Sequence, residues 1–111
     1  MARLNFVELP TQDIGATKRF YERVFGWTLT DFGTSYSCTM TGDTDIGLQA
    51  DPADVTKAPL PVIYVEDLEA TLAALEEGGG RLTLPIFGFP GGRRFHFMDP
   101  SGNELAAMAA D

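Results

Sequence analysis

The chain can be laid over itself at a shift of 54 residues, and this internal duplication limits its possible folds more than any other feature. Asp13, Ala16, Thr17, Glu22 and Gly26 then coincide with Asp67, Ala70, Thr71, Glu76 and Gly80. Each copy opens with an apolar-alternating run, Phe6 to Pro10 or Leu60 to Val65, followed by an aspartate whose carboxylate can cap a helix. Apolar residues then recur at helical spacing: Ile14, Thr17, Phe20, Tyr21, Val24 and Phe25 in the first copy, Leu68, Thr71, Leu72 and Leu75 in the second. Gly26 and the run Gly78-Gly79-Gly80 close the helices, because glycine enters the left-handed region beyond a helix end at little cost. Three strand-like runs follow in each copy, Trp27–Phe32, Ser35–Met40 and Asp45–Ala50, then Arg81–Phe87, Arg94–Met98 and Glu104–Met108. The predicted unit is therefore βαβββ, twice. Module one covers 1–51, module two covers 60–111, and a linker at 52–59 carries prolines that resist regular structure.

A length of 111 residues fits one domain with a real core. A single cysteine, Cys38, excludes an intrachain disulfide and a cysteine-based zinc cluster, and suits a reducing, cytoplasmic setting. Residues 1–6 enter a strand without a leader-like run, and no window approaches the ~20 apolar residues of a membrane span, so no membrane partner is expected. The net charge of -8, with no basic cluster larger than Arg93-Arg94, is the wrong field for a phosphate backbone, so neither is nucleic acid. The acidic surface serves solubility and mildly favours a cationic ligand.

The stretch Phe95-His96-Phe97-Met98-Asp99-Pro100-Ser101-Gly102-Asn103-Glu104-Leu105 reads as a hairpin whose turn chemistry is nearly fully specified. Asp99 can accept from backbone N–H groups further on, Pro100 presets φ, and Gly102-Asn103 tolerate left-handed conformations. Together with Phe20-Tyr21-Glu22-Arg23-Val24-Phe25-Gly26-Trp27, this stretch resembles the vicinal-oxygen-chelate superfamily, which includes glyoxalase I, extradiol dioxygenases and bleomycin-resistance proteins. The resemblance covers nearly the whole chain. It implies an α+β fold, a single glyoxalase/bleomycin-resistance-like domain whose two βαβββ modules form a curved mixed sheet. Helices would lie on the convex side and a ligand cleft on the concave side. It also implies a homodimer with clefts at or near the subunit boundary.

Strand residues alternate faces, so one anchor per strand assigns the rest. Val7 and Leu9 suit packing under a helix, which leaves Phe6, Glu8 and Pro10 for the cleft; shifted by 54, Leu60, Val62 and Tyr64 take that face. Phe95 and Phe97 are a natural helix-side pair, so Arg94, His96 and Met98 turn the other way. On the partner strand Leu105 and Ala107 go to the helix side, and Glu104, Ala106 and Met108 to the cleft. Metal-dependent members of the resembled family take a His from the first strand of each module and a carboxylate from the last. Those positions fall here on Phe6, Leu60, Ala106 and Gly47 or Gln49, none a strong ligand. A catalytic divalent cation needs about three donors, so no metal and no cofactor is expected. His96, Glu8 and Glu104 could chelate together only by an accident of geometry.

The expected ligand-binding set is Phe6, Glu8, Gln49, Leu60, Val62, Tyr64, Arg94, His96 and Glu104. His96, the one histidine, has a side chain suited to proton transfer near neutral pH, or else merely lines the cleft. Arg94 can clamp a ligand carboxylate or neutralise Glu104 across the hairpin. Glu8 on a cleft face is costly to bury alone and calls for Arg94, a ligand cation or water. Among the aromatics that could stack on a planar ligand, Tyr64 is the leading pocket residue; Trp27, Tyr36 and Phe87 suit core packing at least as well. Gly88-Phe89-Pro90-Gly91-Gly92 reads as a mobile loop at the cleft edge, Cys38 as a small buried hydrophobe, and Asp43 and Asp45 as hairpin-turn residues. The expected function is metal-independent binding of a small molecule. The alternative is a lyase or isomerase acting on an oxygenated small molecule, with His96 and Glu8 or Glu104 as acid and base. A structural or regulatory module is the third class.

Overall fold

The computed structural model describes residues 1–111, which divide into two compact units, 6–60 and 1–5 with 61–111. In chain order the elements are β1 (Arg3–Pro10), α1 (Ile14–Phe25), β2 (Thr30–Asp31), β3 (Tyr36–Cys38), β4 (Asp45–Gln49), β5 (Leu60–Tyr64), α2 (Leu68–Glu77), β6 (Arg81–Phe89), β7 (Gly92–Met98) and β8 (Glu104–Ala110). This is the expected α+β fold, two copies of βαβββ with one topology. β1 pairs parallel with β4, and β4–β3 and β3–β2 are antiparallel. Likewise β5 pairs parallel with β8, and β8–β7 and β7–β6 are antiparallel.

The repeated aspartates start both helices. Asp13 and Asp67 sit in extended backbone and each accepts from a backbone N–H three residues on, Ala16 and Ala70, both at 3.0 Å. Each cap is worth about 1 kcal/mol. Gly26 ends α1 with φ 71 and gives its N–H to the Glu22 carbonyl. At the end of α2 the cap residue Gly78 has φ -80, and the left-handed step falls one residue later, on Gly79 at φ 84.

In residues 61–111 α2 covers one sheet face. Val65, Leu68, Phe95, Ala107 and Ala109 form its core, with Ile63, Leu72, Leu75, Ile86 and Phe97 packed against them. Phe95 has no exposed surface, and burying such a side chain contributes about 2–3 kcal/mol. In residues 6–60, α1 lies against β3 and β4, and its Lys18 bonds Asp31 at 3.0 Å. The β7–β8 turn follows its predicted chemistry. The Asp99 carboxylate accepts from Asn103 Nδ2 and from the Ser101 and Asn103 N–H groups, each at 2.9 Å, and these bonds hold its pKa below the usual carboxylate value. Gly102 takes φ 85.

Two expectations are corrected. The run 27–32 yields only the short β2, because Trp27 stacks on Tyr21 and Phe25 at the end of α1, centroids 5.4 and 5.2 Å away, rather than entering a ladder. Residues 88–92 are not a loop. Gly88 and Phe89 continue β6, Gly92 begins β7, and Pro90-Gly91 make a two-residue turn in which Gly91 takes φ 109. Ladder pairing continues to the turn because Gly92 fits directly against the backbone of Ala109, where a side chain would collide.

Asp45, buried at the start of β4, organises the β3–β4 connection as the sequence suggested. Its carboxylate accepts from Thr39 Oγ1 (2.7 Å), Thr41 N and Oγ1 (both 2.9 Å) and Gly42 N (3.1 Å). Burial alone would push this carboxyl up, but those hydrogen bonds outweigh it and hold the pKa below the ordinary value. The stability so gained is complete above an unfolded-state pKa of about 4 and is lost as pH falls through the lower folded value. We expect Asp45→Asn to cost about 1–3 kcal/mol in urea unfolding at pH 7. The gap from the parent should narrow at pH 3.

Candidate functional site

In residues 6–60, strand register gathers one polar cluster on the sheet face away from α1. Glu8 pairs with Gly47, Gly47 with Cys38, and Gln49 with Tyr36. Glu8 is 1% exposed, and the Tyr36 hydroxyl donates to its Oε1 at 3.1 Å. A Cβ built on Gly47 would overlap that hydroxyl and lie 2.6 Å from Cζ of Phe6. Gly47 is thus glycine because the Tyr36 side chain and the Phe6 ring occupy the space above it. Gln49, expected at the cleft, is buried, and its amide oxygen accepts from the N–H of Asp51 at 3.0 Å. Burial and the nearby Asp45 carboxylate push the Cys38 thiol up, which makes it a poor nucleophile.

In residues 61–111 the register draws a second cluster on the face opposite α2. Val62, Ala106, His96 and Leu84 form one cross-strand row, and Tyr64, Met108, Arg94 and Phe87 form the next. His96 and Tyr64 therefore share a face, as the alternation of residues predicted. Two register shifts in β6 set its end of these rows, one between Leu82 and Leu84 and one between Leu84 and Phe87. Phe87 then reaches Arg94, whose guanidinium lies 5.3 Å from that ring centroid and 5.5 Å from that of Phe89. Such cation–π contacts orient a guanidinium as well as stabilise it.

His96 is 4% exposed, with Nδ1 at 3.4 Å from Glu104 Oε2, a long contact at the limit of hydrogen bonding. The same carboxylate oxygen accepts from Thr83 Oγ1 at 3.3 Å. His96 also tilts against Phe87, with centroids 5.8 Å apart. Along the hairpin Glu104 pairs with Met98 and Arg94 with Met108, which puts the two residues two rows apart on one face. Tyr64 lies under the guanidinium of Arg3, 5.9 Å from its centroid. Val62 and Leu60 are buried apolar residues of β5.

Sequence reasoning missed Tyr36 as the partner of Glu8, and Phe89 and Thr83 as supports of Arg94 and Glu104. Tyr36 lies 28 residues from Glu8 in sequence, a pairing no local pattern encodes. Phe89 was hidden by the glycines around it, which read as a loop. Chemically, the second cluster offers a histidine held by a carboxylate, an oriented guanidinium and a tyrosine ring on one face.

The positions at which the resembled family holds its metal do not fit one here. The Phe6 ring packs over Gly47, Leu60 and Ala106 are fully buried hydrocarbon, and no group of three or more His, Cys, Asp or Glu side chains could hold a metal ion.

The family model described as the glyoxalase/bleomycin resistance protein/dioxygenase superfamily matches residues 3–107. The protein named "Putative glyoxylase CFP32" in Mycobacterium bovis and in Mycobacterium tuberculosis is 31% identical over 118 residues, covering 96% of this chain. The chain spans 45% of the length of those relatives. Among solved structures, methylmalonyl-CoA epimerase from Mycobacterium tuberculosis is similar with TM-score 0.76 at 16% identity, covering 97% of this chain and 87% of that one. The Mn(II)-bound glyoxalase from Novosphingobium aromaticivorans gives TM-score 0.72 at 17% identity, covering 98% and 40%. At such identities the likeness is one of fold.

The contacts at Gly47 generate a test of this geometry. Gly47→Ala should destabilise the protein by about 1–3 kcal/mol through overpacking. Adding Tyr36→Phe, which removes the nearest obstructing atom, should recover part of that loss in thermal unfolding.

Proposed function

Because the chain belongs to the glyoxalase/bleomycin resistance protein/dioxygenase superfamily, we propose that it binds a small molecule without the help of a divalent metal. The observation that carries the reading is the filling of the metal positions, with Phe6 and Tyr36 over Gly47 and buried hydrocarbon at Leu60 and Ala106. The ligand contacts we propose lie on the face of residues 61–111 that carries Tyr64, Arg94, His96 and Glu104 with the apolar wall of Val62. A planar, oxygenated ligand suits that face. The tyrosine ring supplies stacking area, and the guanidinium between Phe87 and Phe89 favours a carboxylate or enolate oxygen. A reducing, cytoplasmic setting suits the lone buried Cys38.

The contact between His96 and Glu104 favours a second reading, an isomerase or lyase acting on the same class of ligand. A carboxylate against Nδ1 orients the ring, the arrangement a general acid or base needs. His96 would then move the proton and Glu104, steadied by Thr83, would hold the ring.

Elemental analysis of protein purified without chelator should find less than stoichiometric Ni, Zn, Mn and Fe, and EDTA should leave the melting temperature unchanged. Near-stoichiometric metal that survives dialysis would sink the metal-independent reading. In a thermal-shift screen of planar oxygenated acids, Tyr64→Ala should weaken a hit by more than ~1 kcal/mol. Turnover of such a compound that is lost in His96→Gln would select the enzyme, and turnover unchanged by that substitution would remove the acid–base role.

A further inference from the structure

Arg3 opens β1 with an exposed side chain, and no carboxylate stands within ion-pair distance of its guanidinium. The contact it makes is with the Tyr64 ring, whose centroid lies 5.9 Å from its Cζ. Side-chain alternation explains that approach. Ala2 lines the hollow beneath α2 together with Ile63, Val65 and Phe95. The residue after Ala2 in an extended chain turns to the other face, as Tyr64 does between Ile63 and Val65. Arg3 therefore stands on the face that carries Tyr64, Arg94 and His96.

That face then has a cation at each end of one row. Tyr64, Met108, Arg94 and Phe87 stand opposite one another on β5, β8, β7 and β6. Neighbouring strands lie about 4.8 Å apart, so the row is roughly 14 Å long. The Arg3 guanidinium sits at the Tyr64 end. The Arg94 guanidinium is held at the other end, 5.3 Å from the Phe87 ring centroid and 5.5 Å from that of Phe89. Between them lie the Tyr64 ring and Met108, an uncharged floor on which a flat ring system can rest.

A guanidinium takes a carboxylate or similar anion through two parallel N–H donors. One such group selects an acid, and two at opposite ends of an uncharged strip select an acid with a second anionic group at its far end. The net charge of -8 sharpens the choice, because an anion gains most on this molecule where guanidinium groups are gathered.

We propose that Arg3 is a binding residue of this site and that the ligand is a planar dianion. One anionic group lies on Arg3, the other on Arg94, and the ring system rests over Tyr64 and Met108. This rests on the small-molecule site proposed above for residues 61–111 and names the ligand class it takes.

The probes are β-naphthoate and its symmetric dicarboxylate, the naphthalene with a second carboxylate on the far ring, titrated calorimetrically into the 111-residue chain in EDTA. The dicarboxylate should bind at least ~10-fold more tightly than the monocarboxylate. Arg3→Gln should bring the two affinities within ~2-fold of each other, and Arg3→Lys, which keeps the charge but not the paired donors, should retain part of the preference. Arg3 is exposed and outside the core, so the melting temperature of both variants without probe should match the parent. A parent that binds the two probes equally overturns the proposal, and so does an Arg3→Gln variant that keeps the parental preference. In either case, binding that is lost in Tyr64→Ala leaves the small-molecule site standing. If neither probe binds, the site on this face falls and the proposal falls with it.

Discussion

The packing of Phe95 beneath α2 is the constraint on which the chemistry of residues 61–111 depends. A phenylalanine with no exposed surface, touching Val65, Leu68 and Ala107, fixes which side of β7 faces the helix. In a pleated strand the neighbours of a buried residue have no choice but the opposite face. Arg94 and His96 are therefore placed on the other side by the core as much as by anything they contact themselves. A slip of one residue would put the guanidinium and imidazole under α2, where their desolvation would be ruinous. Arg93 makes the same point from the helix side, since it emerges past the core edge and bonds Glu69 of α2.

A different constraint shapes residues 6–60. Here the decisive residue is one without a side chain. Gly47 pairs with Glu8 on β1, and its missing Cβ leaves room for the Tyr36 hydroxyl to reach the Glu8 carboxylate. A buried carboxylate needs hydrogen-bond donors close by, and Tyr36 supplies one from a strand two places across the sheet.

Carboxylates also set the turns between strands. Asp45 and Asp99 each close a turn through several hydrogen bonds to one carboxylate, which makes the hairpins well defined and acid-sensitive. His96 and Glu104 meet across strands β7 and β8 at 3.4 Å, and the His96 ring also tilts against Phe87.

The sequence by itself determined the duplicated βαβββ plan, both helix caps, the Asp99 turn and the faces taken by residues 94–98 of β7 and 104–108 of β8. Each of these is written within about ten residues, as an alternation, a capping aspartate or a glycine where φ must be positive. It also marked Phe6, Leu60 and Ala106 as unable to bind metal, because that follows from side-chain type alone. Only the tertiary structure decided that Tyr36 partners Glu8, that Glu104 meets His96, and that residues 88–92 are hairpin rather than loop. These depend on the register of strands far apart in sequence and on the shifts within β6, which move which residue stands opposite which. Local chemistry fixes the direction in which a side chain points, and long-range pairing fixes what it meets there.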